Sequence, residues 1–455
     1  MTRTLVSETI NHSGERVIVE GWIHLRRDHG KLIFLSLRDR SGFLQIVVNA
    51  KESSSAYEAA KDIRPEFAVK IEGIVKKRPE NAIDKSSATG SVELEAQEID
   101  VLSKSEALPF DMGGKDLNLE LPTLLDNRSL TLRHPKVSAI FKVQETVIDA
   151  FRIACKKKDF TEFQSPVIVP QGAEGGSEVF EIKYFDHKAY LAQSPQFYKQ
   201  IMVGAFERVF TVNKTLRAEP SVTTRHLTEV TTLDAEFGFI DSWLDVMDMA
   251  EYVIKFMIDS VNNKNSDVLK MYNVTPPKVS AKIPRIKLRD AQEIIFKRTG
   301  RDNRQEPDLS PEDEREICRW SLEEKNSDLV FVTHYPIVKR PFYTFEDPED
   351  KGFTLSFDLI GRGTEWMTGG QRINDYAKLV ENAKKRGIDL KKSEIYLQAF
   401  RYGMPPEGGF SFGSERITMH ILELKNVREA SLFPRDMERV DERLSEIDKE
   451  NTKTH

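Results

Sequence analysis

Basic and acidic residues gather in three short stretches of this chain. In 216–229, Arg217 and Glu219 face Arg225, His226 and Leu227 across a polar loop. An arginine set among apolar strand residues needs an anionic partner, because a lone cation is expensive to bury. A carboxylate within the chain or a bound phosphate would serve equally. In 408–416, a glycine run, Gly408-Gly409-Phe410-Ser411-Phe412-Gly413, leads through Ser414 and Glu415 to Arg416. Glycine allows close backbone approach, and a planar guanidinium stacks on a base and pairs with a phosphate. A helix start followed by a surface arginine gives the same pattern. The third stretch, KKKDFTEFQSPVIVP at 156–170, is a helix end running into an extended segment with Pro166, which alone reads as an ordinary edge strand. Neither GxxxxGK[ST] nor GxGxxG occurs, so nucleotide chemistry here would proceed without a P-loop or a dinucleotide fold.

The elements that must hold these stretches change character along the chain. Residues 17–25, 32–38, 43–49, 68–75 and 92–102 are apolar or alternating runs, with a helical stretch at 54–62. Five short strands with one helix before the fourth predict an oligonucleotide-binding β-barrel over 1–103. Prolines 109 and 122 and glycines 113 and 114 break periodicity across 104–134, which reads as a hinge or linker. From 135 the spacing of Ile140, Val143, Val147, Ala150, Ile153 and Ala154 predicts a helix. Strands follow at 207–218 and 227–240, helices at 243–264 and 374–387, and strands at 328–332, 354–360 and 363–369. A glycine-rich strand at 408–413 and a helix at 414–424 complete the pattern. Locally connected strands among helices predict an α+β domain with an antiparallel sheet over 135–455.

A length of 455 residues suffices for two separate cores. The net charge of −6 provides no global field for a nucleic acid, so any RNA contact must be local. Cys155 and Cys318 stand far apart, which excludes a cysteine zinc site within the chain and fits a reducing compartment. With no apolar leader and no membrane-length apolar run, the chain reads as soluble and cytoplasmic.

Taken in order, the three stretches resemble the three signature motifs of class II aminoacyl-tRNA synthetases. Gln193-Ser194-Pro195-Gln196-Phe197-Tyr198-Lys199 is similar to a stretch of the aspartyl branch. Glu174-Gly175-Gly176-Ser177-Glu178 resembles its substrate-covering loop, and Gly363 to Arg372, with Asp358 before it, its metal and side-chain segment. Phe433-Pro434-Arg435-Asp436 resembles its C-terminal signature. The interval from Asp241 to Glu365 is too short for the large insertion of the usual bacterial branch, so the archaeal and eukaryotic type fits best.

The resemblance implies a ligase that uses ATP, Mg²⁺ and L-aspartate, acts on tRNA(Asp), and works as a homodimer. It leaves tRNA(Asn) open as a second acceptor, and His24 and Pro79 lean that way. Arg217, Glu219 and Arg416 would be catalytic. Arg225, His226, Leu227, Glu365 and Gly413 would join them around ATP. Lys199 and Arg372 would read the aspartate side chain, with Glu174, Ser177, Gln196, Asp234 and Thr368 completing its site. Glu365, Thr368 and Asp358 would hold the metal. Arg26, Phe34, Gln45 and Glu93 would meet the anticodon. Val230 replaces an aromatic usual beside adenine, Ser414 a usually apolar residue, and Asp159 a usual glycine; Pro220 stiffens the start of the second motif's loop. The rival readings are an asparaginyl enzyme, an RNA-binding relative without catalysis, and a relative that makes a small molecule such as asparagine, in which the barrel would be missing.

Overall fold

Alternation of apolar and polar residues closes the N-terminal strands into a barrel. In β2 (Leu32–Asp39) it buries Ile33, Leu35 and Leu37 and turns Phe34 and Ser36 outward. With β1 (Arg16–Asp28), β3 (Gly42–Asn49), β4 (Ala68–Lys77) and β5 (Val92–Ser103), it forms a closed barrel in the order β1-β2-β3-β5-β4. In the barrel β3 and β5 pair in parallel and the other neighbouring strands antiparallel. Helix α1 (Ser54–Lys61) is capped by Ser53, whose hydroxyl accepts the N–H of Ala56. It buries Ala56 and Ala60 with Ile46, Ile71 and Leu94 in one core. The predicted five-stranded barrel with a helix before the fourth strand is the one that forms.

The chain divides into two compact units, Met1–Leu119 and Glu120–His455, and the computed structural model describes residues 2–85, 87–172, 179–220 and 222–445. The boundary falls inside the segment read as a linker. The second part of that segment is not bare connector: it carries α2 (Leu121–Asp126) and α3 (Arg128–Thr131). Arg128 is buried and donates to the carbonyls of Glu429, Ser431 and Leu432, which fastens α3 to the C-terminal segment.

In the second unit, α4 (Pro135–Lys156) leads to β6 (Thr161–Glu162) and to a small sheet of β7 (Ile168–Val169), β8 (Glu181–Tyr184) and β9 (His187–Leu191). Helix α5 (Gln196–Phe206) precedes the hairpin of β10 (Arg208–Leu216) and β11 (Glu229–Gly238), then α6 (Trp243–Lys264) and α7 (Ser266–Tyr272). Strand β12 (Arg285–Lys287), α8 (Leu288–Thr299), α9 (Pro311–Lys325) and β13 (Leu329–Thr333) follow. The chain continues through β14 (Ser356–Gly361), β15 (Thr364–Gln371), α10 (Tyr376–Lys385), α11 (Glu394–Arg401), β16 (Glu407–Gly413) and α12 (Ser414–Ile421). The main sheet runs β12-β13-β14-β15-β16-β11-β10-β6, antiparallel except for the pairs at its two edges. Helices α4 and α6 bury Val143, Val147, Val253 and Met257 against one face, with Phe210, Leu233, Phe357 and Phe412 of the sheet. The predicted helix at 136–157 supplies this layer, although Ile153 is only half-buried.

Candidate functional site

Strand parity sorts residues between the core and the opposite face. In β11, Leu233, Ala235 and Phe237 enter the core, so Thr232, Asp234 and Glu236 share the other side. Their partners in β16 are Gly413, Ser411 and Gly409. Thr368 of β15 lies opposite Ser411, and Asp358 of β14 opposite Thr368. Glu365 and Thr368 are three residues apart, and a regular strand would put them on opposite faces. The register shift between Leu359 and Ile360, opposite Trp366, inserts one extra residue and turns Glu365 to the side of Thr368. A cavity of about 360 Å³ opens on this face, lined by Lys199, Gln196 and Arg372 as well as by Arg217, Glu365 and Arg416.

One end of the cavity is buried and paired. Lys199 is 1% exposed and Arg372 7%. Lys199 Nζ lies 3.2 Å from Asp234 Oδ1 and 3.0 Å from Glu236 Oε2. Arg372 Nε donates to Glu236 Oε1 at 2.7 Å and Nη2 to the Gly409 carbonyl at 3.0 Å. Glycine is required at 409 because a Cβ there would overlap Glu236 Oε2. Burial works to raise the Glu236 carboxyl, but Arg372 and Lys199 outweigh it and hold it below the ordinary range. Glu407, also fully buried, accepts from Gln200 at 2.6 Å. Burial and the neighbouring Glu236 push its carboxyl well above the usual range. Asp234 Oδ2 and Gln196 Nε2 are buried without hydrogen-bond partners. They are an acceptor and a donor available to a small polar ligand.

The other end is open and set for anions. Arg217 follows β10, with its backbone N–H on the Thr228 carbonyl. Arg225 Nη1 lies 3.0 Å from Glu314 Oε2, and His226 Nε2 3.4 Å from Glu219 Oε2. Arg416 donates to the Glu365 carbonyl at 3.2 Å. Val230 and Gly413 line this end, with a buried leucine, Leu227, beside them. Ser414 is fully buried but satisfied: its hydroxyl donates to Glu415, which accepts the Thr231 N–H. Asp159 has φ +63, a conformation glycine adopts freely and aspartate better than most.

Between the two ends sit the oxygens suited to a metal. Arg340 rests 4.0 Å over the Tyr335 ring and donates to Asp358 Oδ2 at 2.8 Å and to Thr368 Oγ1 at 3.3 Å. Asp358 Oδ1 is buried without a hydrogen-bond partner. Burial and the Asp358 charge raise the Glu365 carboxyl, as expected where two acids crowd and a further cation would relieve them. Among the described residues no group of three or more His, Cys, Asp and Glu is arranged around one metal position. Two carboxylates and a hydroxyl suit Mg²⁺, which takes few protein oxygens and completes its shell from phosphates and water.

Lys199, Gln196, Thr368, Arg372 and the residues expected around ATP thus share one cavity. Asp234 and Asp358 stand behind its wall, each joined to a cation that lines it. Glu174 and Ser177 lie outside the described residues. The barrel brings Gln45 and Glu93 together, 2.9 Å apart, with Phe34 outward on the adjoining strand. Arg26 instead lies opposite Leu35 and donates to the Ala60 carbonyl of α1. Sequence reasoning missed Glu236, Arg340, Glu314 and Glu407. Glu236 left a signal: an acid two residues after Asp234 on a strand otherwise buried, hence on the same face.

Comparison with known families and proteins agrees with this geometry. Residues 17–102 match the OB-fold nucleic acid binding domain, and residues 120–437 the tRNA synthetases class II (D, K and N). The chain is 42% identical over 439 residues to an aspartate–tRNA(Asp/Asn) ligase of Thermus thermophilus, covering 96% of this chain and 99% of that protein. It is 37% identical to an aspartate–tRNA(Asp) ligase of Pyrococcus horikoshii, covering 97% and 100%. The crystal structure of asparaginyl-tRNA synthetase from Pyrococcus horikoshii with asparaginyl-adenylate superposes with a TM-score of 0.86 at 32% identity, covering 97% of this chain and 99% of that one. No helix among the described residues is long and apolar enough to cross a membrane. A barrel ahead of an antiparallel sheet, a cavity uniting the signature arginines, and these matches along nearly the whole length make this chain a member of the class II tRNA synthetases of the D, K and N group.

Proposed function

We propose that this chain activates L-aspartate with ATP to aspartyl-adenylate and transfers it to the 3′ end of tRNA(Asp), with tRNA(Asn) as a second acceptor. The observation that carries this reading is the Lys199–Arg372 pair, buried at the closed end of the cavity that Arg217 and Arg416 line. Asp234 and Glu236 hold both cations in place while the pair keeps donors for a carboxylate. A neutral amide would pair them poorly. Mispairing a buried charge costs about 2–5 kcal/mol, enough to reject asparagine without an editing step. Both relatives named as aspartate ligases agree with this choice.

In the reaction the α-carboxylate of aspartate attacks the α-phosphorus and pyrophosphate leaves. Two anions meet, so the site must supply positive charge where it develops. Arg217 stabilises the α-phosphate, Arg416 covers the adenine and meets the γ-phosphate, and Arg225 and His226 face the pyrophosphate end. Glu219 orients the adenine amino group or Arg217. Asp234 Oδ2 and Gln196 are placed to receive the α-ammonium. Glu365, Asp358 and Thr368 would hold Mg²⁺, which supplies charge neutralisation at the phosphates. Phe34, Gln45 and Glu93 form the anticodon face of the barrel. Two copies of the chain form the working enzyme, and light scattering at twice the 52.2 kDa chain mass tests that.

ATP–pyrophosphate exchange without tRNA, run with aspartate and asparagine in parallel, tests the assignment. Exchange with aspartate alone is expected. Exchange with asparagine alone would move the chain to the asparaginyl branch, and none with either would leave an RNA-binding relative or an enzyme that needs tRNA for activation. Charging of both transcripts at comparable efficiency is expected, and strict rejection of tRNA(Asn) would remove the second acceptor.

A further inference from the structure

A carboxylate from outside the three signature stretches joins two parts of the open end. Glu314 extends from the first turn of α9, and its side chain is 14% exposed. Its neighbour Asp313 is already used locally, accepting the Ser310 N–H at 2.9 Å and the Arg301 Nε at 3.1 Å. Glu314 faces the cavity residues instead. Its Oε2 accepts Arg225 Nη1 at 3.0 Å. The second terminal nitrogen of Arg225 donates to the Gly363 carbonyl at 3.4 Å. Gly363 has φ +83, and Arg315 of α9 packs where its Cβ would point, so α9 lies flush against the turn that begins β15. Arg225 thereby bridges the Glu314 carboxylate and the turn that leads into the strand carrying Glu365. Burial pushes this carboxyl up to about 7, against the pull of Arg225 and with the push of Glu365. The group is held there by its partners, not by solvation.

We propose that Glu314 is a positioning residue for the nucleotide: it presents Arg225 at the phosphate end of the cavity, braced against the Gly363 turn. The proposal rests on the adenylation reading above. With Glu314 in place, Arg225 meets ATP already oriented; without it, the long side chain loses its fixed direction and binding must order it. The aspartate end shares none of these contacts.

The test is aspartate-dependent ATP–pyrophosphate exchange by the full chain as wild type, Glu314→Gln, Arg225→Gln and the double variant, with thermal melts of each. Glu314→Gln, which keeps the shape but removes the negative charge that holds Arg225, is expected to raise the KM for ATP about tenfold, the order of what charge adds to a hydrogen bond. The KM for aspartate should stay within about twofold and the melting temperature should hold. The double variant should be no worse than Arg225→Gln, since the two residues act as one unit. An unchanged ATP KM in Glu314→Gln would overturn the proposal, as would both KM values rising together with a falling melting temperature, or additive losses in the double variant. Failure of the underlying reading looks different: the wild type itself would give no aspartate-dependent exchange, and the proposal would fall with it.

Discussion

The two ends of the cavity handle charge in opposite ways. At the closed end, Lys199 and Arg372 are almost fully buried and each is already matched by carboxylates of β11. At the open end, the side chains of Arg225, His226 and Arg416 are 30%, 38% and 29% exposed, and water screens their pairs. Buried pairs are rigid and costly to break, whereas exposed pairs are screened and rearrange cheaply. The closed end therefore suits discrimination between similar small ligands. The open end suits a large polyanion that brings its own charge and must later leave as pyrophosphate.

This contrast can be broken most severely at the closed end. Lys199→Met leaves Asp234 and Glu236 facing each other with one cation fewer. Removing one partner of a buried pair destabilises by about 3–5 kcal/mol. Exchange with aspartate should fall by more than about a thousandfold, with a lower melting temperature. A variant that keeps near-normal exchange would show that Lys199 is merely structural. Arg217→Ala should be milder for the fold but should cut the exchange kcat about 100- to 1,000-fold, the usual effect of losing one charge-stabilising donor. A change in aspartate KM alone would misplace Arg217.

The smaller effects sharpen the comparison. Phe34→Ala, in the barrel, should lower charging of tRNA about 5- to 100-fold through lost base stacking. Exchange without tRNA should be untouched, and equal loss in both assays would argue for a folding defect. Val230→Phe should lower the KM for ATP a few-fold, because an aromatic face adds about 0.5–1.5 kcal/mol of stacking. An unchanged ATP KM would mean that adenine is gripped elsewhere.

The barrel was legible because its strands alternate cleanly, and so were α4, β10, β11 and β16. Helices α8 and α9 were not. Charged residues interrupt the apolar pattern of α8 and dominate α9, which buries only one narrow side, including Ile317, Cys318 and Trp320. The same reason hid Glu314, one acid among several in a helix start. Lys199 and Arg372 stood out only through the stretches around them, since a lone lysine is usually solvated. Arg340 and Glu407 acquire their surroundings from strands distant in sequence, Arg340 from β14 and β15 and Glu407 from α5 and β11. No local pattern reports such meetings. The helices α2 and α3 inside 104–134 went unread because they are too short for periodicity to register.

The extra residue in β15 has a consequence for how this enzyme tolerates change. A strand chooses its face by counting, and the count moves only in whole residues. Substitutions near Trp366 alter size or polarity by degrees, and the sheet repacks around them. A one-residue deletion there is different in kind. It would restore regular pairing, send Glu365 into the apolar layer beneath α6, and leave Thr368 and Asp358 where they are. The composition would scarcely differ, yet the acid pair would be split across the sheet. Length polymorphism between Gly363 and Thr368 is therefore expected to be far rarer among functional variants than amino-acid replacement at the same positions.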